Sequence, residues 1–246
     1  MDALVLQHIA CEPPGVYEDV MLEHGVSLAR VELDEGERLP DWREFDLIVA
    51  MGGPMSVNDE ERLPWLGDEK RLIREAVHAG VPFFGACLGA QLLAVSLGAR
   101  VYEGPRPEVG FLSVDLTEAA RRDPAFAHLP PELVTFQWHG DTFTLPRGAT
   151  RLASSHEYRN QAFRWGKAAY GLQFHLEVSA ELAQEWAEVP EYAAALERVL
   201  GAGAGNRLLG EFEQRESELA GHASSIFGRW LELAREAAAD RQLARG

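Results

Sequence analysis

Short apolar runs alternate with longer stretches of helical period from the first residues to about Ala99, and this alternation constrains the fold more than any other feature of the chain. The runs cover residues 3–6, 26–33, 45–51 and 81–85 and are rich in Val, Leu, Ile and Phe. Runs of this kind separated by helical segments are the pattern of parallel strands joined by crossover helices, an α/β fold with a doubly wound, mostly parallel sheet. The intervening segment 64–79 sets Leu66, Ile73, Ala76 and Val77 at helical spacing. Pro64 stands near the permitted first turn and Gly80 past the end, so a helix is expected there.

Beyond Val101 the helical periods fade. Strand-like runs at 111–116, 133–138, 150–154 and 168–174 predict further strands and a small antiparallel portion of the same sheet. After Glu177 the composition turns to Ala, Glu, Leu and Arg, and a Gly/Ala break at 201–205 separates two helical stretches. In the second, Leu209, Phe212, Leu219, Ala223, Ile226, Phe227, Trp230 and Leu233 recur three or four residues apart. Such an apolar stripe must be covered, either by the flank of its own sheet or at an interface with another protein, whether a second copy of the chain in a homo-oligomer or a different partner. The 246 residues suit one main domain over 1–180 with a C-terminal helical extension, 181–246, packed on it.

Charge narrows the partners. With 23 Lys+Arg against 39 Asp+Glu the net charge is −16, a surface that repels phosphate backbones and anionic lipid, so neither nucleic acid nor a membrane surface is an expected partner. No run approaches the roughly 18 apolar residues of a membrane span, and the N-terminus does not read as a leader, which predicts a cytoplasmic protein. Cys11 and Cys87 are too few for a disulfide framework or a thiolate zinc site.

Cys87 has unusual neighbours. In Val81-Pro-Phe-Phe-Gly-Ala-Cys87-Leu-Gly-Ala-Gln91 an apolar strand runs through Gly85 into the cysteine, and a helix begins at Leu88. Gly85 and Gly89 leave the space that a tight strand-to-helix turn needs, which is the form of a nucleophile elbow. A thiol at a helix N-terminus is expected to have its pKa lowered by the dipole, and the first helical amides point at a developing oxyanion. Acyl chemistry then needs a base and a group that orients it. Of eight histidines, His175 ends the run Gly171-Leu-Gln-Phe-His175, and a strand period of two puts Glu177 on its side. Met51-Gly52-Gly53-Pro54 follows another buried run and can turn an amide toward a reacting carbonyl. Gln137-Trp138-His139-Gly140-Asp141 also ends a strand. His139 and Asp141 could instead join His175 and Glu177 as N/O metal ligands, but a metal would leave the cysteine elbow unexplained, so no metal is expected.

Four of these pieces, Gly52-Gly53-Pro54, the elbow from Gly85 to Gln91, Trp138-His139-Gly140-Asp141 and Phe174-His175-Leu-Glu177, together resemble the class I (triad) glutamine amidotransferases, in that family's order and over about residues 1–180. The resemblance implies a flavodoxin-like fold and no cofactor. It implies that Cys87 attacks the side-chain amide of glutamine, that His175 protonates the departing ammonia, that Glu177 orients His175, and that water hydrolyses a γ-glutamyl thioester. It further assigns the oxyanion hole to the amides of Gly53 and Leu88, and the amino-acid end of glutamine to Gln91 and the backbone around Gly140 and Asp141. Glu108, in Pro107-Glu108-Val109-Gly110, matches a supporting position behind the site.

The chain is similar to the glutaminase domain of GMP synthetases, yet Leu88 and Ala90 stand where those usually carry an aromatic residue and a histidine, and no Ser-Gly-Gly-type pyrophosphate loop follows Glu177. Three readings follow. One is a glutaminase-type hydrolase, free-standing or supplying ammonia to a separate synthetase subunit. Another is a γ-glutamyl peptidase acting on small conjugates or dipeptides. The last is a non-catalytic binding subunit.

Overall fold

Along the first strand, β1 (Asp2–Gln7), successive side chains enter different layers: Ala3 and Val5 join one apolar cluster, Leu4 and Leu6 another. A strand buried on both faces needs helices on both, and the crossovers supply them. The computed structural model describes residues 1–245. After β1 come α1 (Val16–Glu23), β2 (Ser27–Glu32), β3 (Leu47–Ala50), α2 (Trp65–His78), β4 (Phe83–Ala86) and α3 (Leu88–Ser96). Next are β5 (Val101–Leu116), β6 (Glu132–Phe143), β7 (Thr150–Ser154), β8 (Ala162–Trp165) and β9 (Ala169–Leu172). Three helices close the chain: α4 (Ala180–Glu188), α5 (Pro190–Leu200) and α6 (Ala204–Arg245). Among the described residues no helix is long and apolar enough to cross a membrane.

Nine strands form one mixed sheet in the order β2-β1-β3-β4-β9-β8-β7-β5-β6. From β2 to β9 the pairings are parallel, and from β9 to β6 they are antiparallel. The antiparallel share is larger than the sequence pattern suggests, for two reasons. Strand β8 is only four residues long, with Arg164 inside it, and so carries little apolar signal. Strand β5 begins ten residues before the expected 111, where Pro105 and Pro107 interrupt the apolar pattern and its pairing with β6 shifts register between Glu103 and Glu108.

The C-terminal stripe is used inside the chain. Phe212, Leu219, Ala223, Ile226, Phe227 and Trp230 are buried, with Leu209 and Leu233 packed beside them. Phe227 stacks on Tyr17 of α1 at 4.8 Å and meets Phe84 of β4 edge-on at 5.0 Å, and Trp230 donates its indole N–H to the Ala168 carbonyl at 2.9 Å. The alternative cover, a second copy of the chain, thus loses the apolar surface it rested on. A second break, beside the expected one at 201–205, separates α4 from α5 at Pro190, which cannot donate an amide and takes the first helical position.

Candidate active site

Three turns that hold the candidate residues lie at the carboxyl ends of adjacent strands, the edge where open α/β sheets hold ligands. Gly52 and Gly53 follow β3, Cys87 follows β4, and the segment 173–177 follows β9. Adjacency of β3, β4 and β9 brings together residues far apart in sequence. The Cys87 amide donates to Leu172 O at 2.7 Å, which pins the elbow to the end of β9.

Among the described residues Cys87 is the one non-glycine with positive φ, at 49°. Its neighbours must be glycines, because a Cβ on Gly85 would lie 2.5 Å from the Gly89 carbonyl and one on Gly89 would lie 2.1 Å from Ala50 O. The turn therefore holds a strained backbone in place by close main-chain packing. Gly89 donates to Met51 O at 3.0 Å, which ties the elbow to the Gly52-Gly53 turn.

His175 does not extend β9. Its backbone forms an isolated antiparallel bridge to Phe136 of β6, donating at 2.8 Å and accepting at 3.1 Å. The ring Nδ1 meets Glu177 Oε1 at 2.6 Å, while Glu177 Oε2 accepts from the Leu176 amide at 2.9 Å. On its other side His175 faces the Cys87 thiol closely enough for each to shift the other's titration. All three side chains are buried, and Trp186 covers the imidazole edge-on at 4.8 Å.

Burial sets the electrostatics. It pushes the Cys87 thiol above its ordinary value, with the charges of Glu12 and Glu177 acting the same way, while His175 pulls it down. Burial thus acts against the lowering expected from the helix N-terminus, since a thiolate loses its hydration on leaving water. Burial also opposes the charged form of His175, but Glu177 and the Cys87 contact outweigh it and hold the imidazole well above its usual value.

A cavity of about 390 Å³ opens above the thiol. Gly53, Leu88, Gln91, Gly140 and Asp141 all line it with Cys87. Gln91 donates to Gln173 Oε1 at 3.1 Å, and Gln173 in turn donates to Cys87 Sγ at 3.6 Å. The Asp141 carboxylate accepts from Ser56 Oγ at 3.0 Å, and the Gly140 carbonyl from Tyr158 at 3.2 Å. Glu108 stands behind, accepting from Ser155 at 2.8 Å and Gln161 at 2.6 Å and lying 3.2 Å from His139 Nε2. His139 Nδ1 donates to the Asp141 carbonyl at 3.0 Å, within β6, which runs past the expected strand end at 138 to Phe143. His139 and Asp141 thus face their own partners, and among the described residues no three His, Cys, Asp or Glu side chains converge as a metal cage.

Several participants carry no mark in the sequence. Glu12, buried and held by the Tyr192 hydroxyl, has its carboxyl raised by burial while the His175 charge pulls it down. Tyr192, Ala195 and Arg198 of α5 form one wall of the cavity, so the extension borders the site. Glu12 sits in an irregular segment and Tyr192 in a helix remote in sequence, and neither has a local pattern to reveal it.

Comparison with known proteins shows the family. The profile of the family described as glutamine amidotransferase class-I matches residues 18–187. The chain belongs to the class-I glutamine amidotransferase family. Within that family it is 36% identical over 178 residues to the glutamine amidotransferase-like protein YfeJ of Salmonella typhimurium, covering 71% of this chain and 74% of that one. It is 31% identical over 156 residues to a glutamine-hydrolyzing GMP synthase subunit of Sulfolobus acidocaldarius, covering 62% of this chain and 78% of the relative. The crystal structure of a glutamine amidotransferase from Thermotoga maritima superposes with a TM-score of 0.84 at 38% identity, over 94% of this chain and 98% of that one.

Proposed function

We propose that the protein is a cysteine hydrolase that releases ammonia from glutamine through a γ-glutamyl thioester on Cys87. The observation that carries this reading is the contact chain Cys87, His175, Glu177, buried beneath the cavity with the nucleophile on a strained elbow. The Cys87 proton passes to His175 as Sγ bonds to the amide carbon. The amides of Gly53 and Leu88 hold the resulting oxyanion. Collapse breaks the C–N bond, and the nitrogen leaves as ammonia with the proton from His175. Water, deprotonated by His175, then attacks the thioester, and glutamate departs as the thiol is restored. Glu177 keeps the proton of His175 on Nδ1, so Nε2 is the atom that faces sulfur.

Gln91, Gly140 and Asp141 are assigned to the amino-acid end of the substrate, which their position in the cavity wall supports. We read residues 1–180 as carrying the chemistry on a flavodoxin-like, doubly wound frame, with the extension from 181 completing one wall. Similarity to the glutamine-hydrolyzing subunits of two-part GMP synthases supports a separate synthetase as the recipient of the ammonia.

A second reading has its own observation. The cavity is closed on one side by α5 of the same chain, and it shares Pro107, Val109 and Arg198 with a neighbouring cavity of about 630 Å³. That room favours a γ-glutamyl dipeptide or conjugate, whose leaving amine is larger than ammonia. The test is glutamate release from glutamine and from γ-glutamyl dipeptides, wild type beside Cys87→Ser. Release from glutamine lost in the variant supports the first reading, and selective release from the dipeptides supports the second. Equal release by wild type and variant overturns both.

A further inference from the structure

A second histidine and carboxylate lie buried on the opposite side of the Gly52-Gly53 turn, and the reaction as described leaves them without a role. His8, just past the end of β1, and Glu69, in α2, both have no exposed side-chain surface. His8 Nε2 meets Glu69 Oε1 at 2.9 Å, and His8 Nδ1 meets the Gly52 carbonyl oxygen at 3.1 Å. A carbonyl oxygen only accepts, so Nδ1 carries a proton and donates to Gly52. Trp65 stacks on the ring at 5.9 Å and limits its rotation.

The Gly52 carbonyl and the Gly53 amide belong to one peptide unit, and the described residues contain no cis bond. In a planar trans peptide the C=O and N–H point in opposite directions, so anchoring one aims the other. With two consecutive glycines the unit is otherwise free to turn over, since neither residue has a Cβ to restrict it. At either position a Cβ would crowd a neighbouring side chain. One on Gly52 would meet Glu12 Oε2 at 1.9 Å, and one on Gly53 would meet Met55 Sδ at 2.6 Å and His8 Cβ at 3.0 Å. Glycine gives the turn its space, and the freedom that glycine brings must be removed by something else.

We infer that His8, oriented by Glu69, is a positioning residue that clamps the Gly52 carbonyl and so holds the Gly53 N–H toward the cavity above Cys87, completing the oxyanion hole. The inference rests on the hydrolase reading only for its catalytic consequence, because the orientation of the peptide is a structural claim in itself.

Crystal structures of wild type, His8→Asn and the double variant His8→Leu/Glu69→Leu test the clamp, together with glutamate release by each. Asn keeps an N–H donor near the position of Nδ1. The double variant removes both polar groups and so avoids leaving the Glu69 carboxylate buried alone. The double variant is expected to show the Gly52-Gly53 peptide turned over or in two orientations, with kcat down about 100-fold and KM within about threefold, the signature of one lost oxyanion donor. His8→Asn is expected to retain the wild-type orientation and most of kcat. An unchanged peptide in the double variant overturns the clamp, as does an equal loss in His8→Asn. If wild type releases no glutamate from any γ-glutamyl compound, the hydrolase reading fails, while the peptide orientation still decides the clamp.

Discussion

Two of the buried histidine-carboxylate pairs, His175 with Glu177 and His8 with Glu69, differ in how the chain makes them. His175 and Glu177 are two residues apart on one turn and meet at 2.6 Å. His8 and Glu69 are 61 residues apart, on a strand end and a helix, and meet at 2.9 Å. The first faces a thiol and the second a carbonyl oxygen. In both, burial opposes the imidazolium and the carboxylate favours it, and the balance lies above the ordinary imidazole value. On the readings proposed above, the same pair of groups serves a proton transfer in one place and holds a peptide in the other, and the difference lies in the third atom each ring meets.

The sharpest way to break the comparison is to remove the third atom or the ring of the first pair. Cys87→Ser is expected to abolish glutamate release, and His175→Ala to lower kcat by about 10³-fold or more, in steady-state assays with both variants folded. Removing the orienting carboxylate is expected to cost less. Glu177→Gln should lower kcat by roughly 100-fold, because it weakens the imidazolium without removing the base. Glu69→Gln should lower it by less than Glu177→Gln, since the amide of Gln still accepts or donates at the ring and no proton is transferred there. A larger loss in Glu69→Gln than in Glu177→Gln would reverse the roles assigned to the two pairs.

Titration sharpens the contrast. A thiol raised by burial forms thiolate only at higher pH, so alkylation of Cys87 by iodoacetamide should keep climbing beyond about pH 9, and rates in His175→Ala should be lower, since His175 pulls the thiol down. A plateau near neutral pH would mean that the helix N-terminus outweighs burial. Stability carries the opposite sign. A histidine whose folded pKa is raised contributes fully below its unfolded value of about 6.5, and that contribution is lost as pH rises through the folded value. Both His8 and His175 act this way, so the Tm of wild type should fall from about pH 6.5 upward. The fall should be shallower in His8→Leu/Glu69→Leu, and an unchanged slope would mean that His8 is neutral when folded. The smallest effect is expected from Cys11→Ala. Cys11 contributes its carbonyl to Trp186 at 2.7 Å and its thiol is pushed up to about 11, so kcat should stay within about twofold.

How much of this is legible in the sequence follows the same division. The elbow at Cys87 is local, since its glycines, apolar strand and helix lie within eleven residues, and the sequence pattern places strand, turn and helix correctly. His175 with Glu177 is nearly local, although the strand expected to carry them stops at Leu172 and Phe136 holds His175 instead. The long strand β5 reads short, because Pro105 and Pro107 break its apolar pattern without breaking the strand. Glu12, Tyr192, Gln173, His8 and Glu69 have no signal, because a buried polar side chain is recognised only by the partner that satisfies it.

The amino-acid sequence alone determined the alternation of strands and helices, the strained turn that carries a thiol, and the stripe that had to be covered, because each depends on residues within a few turns of one another. Tertiary structure decided which strands became neighbours, that the stripe of α6 covers Tyr17 and Phe84 rather than a second copy of the chain, and that α5 walls the cavity. It also decided the direction of the Cys87 titration, because desolvation depends on everything packed around a group, and local sequence describes only a small part of those surroundings.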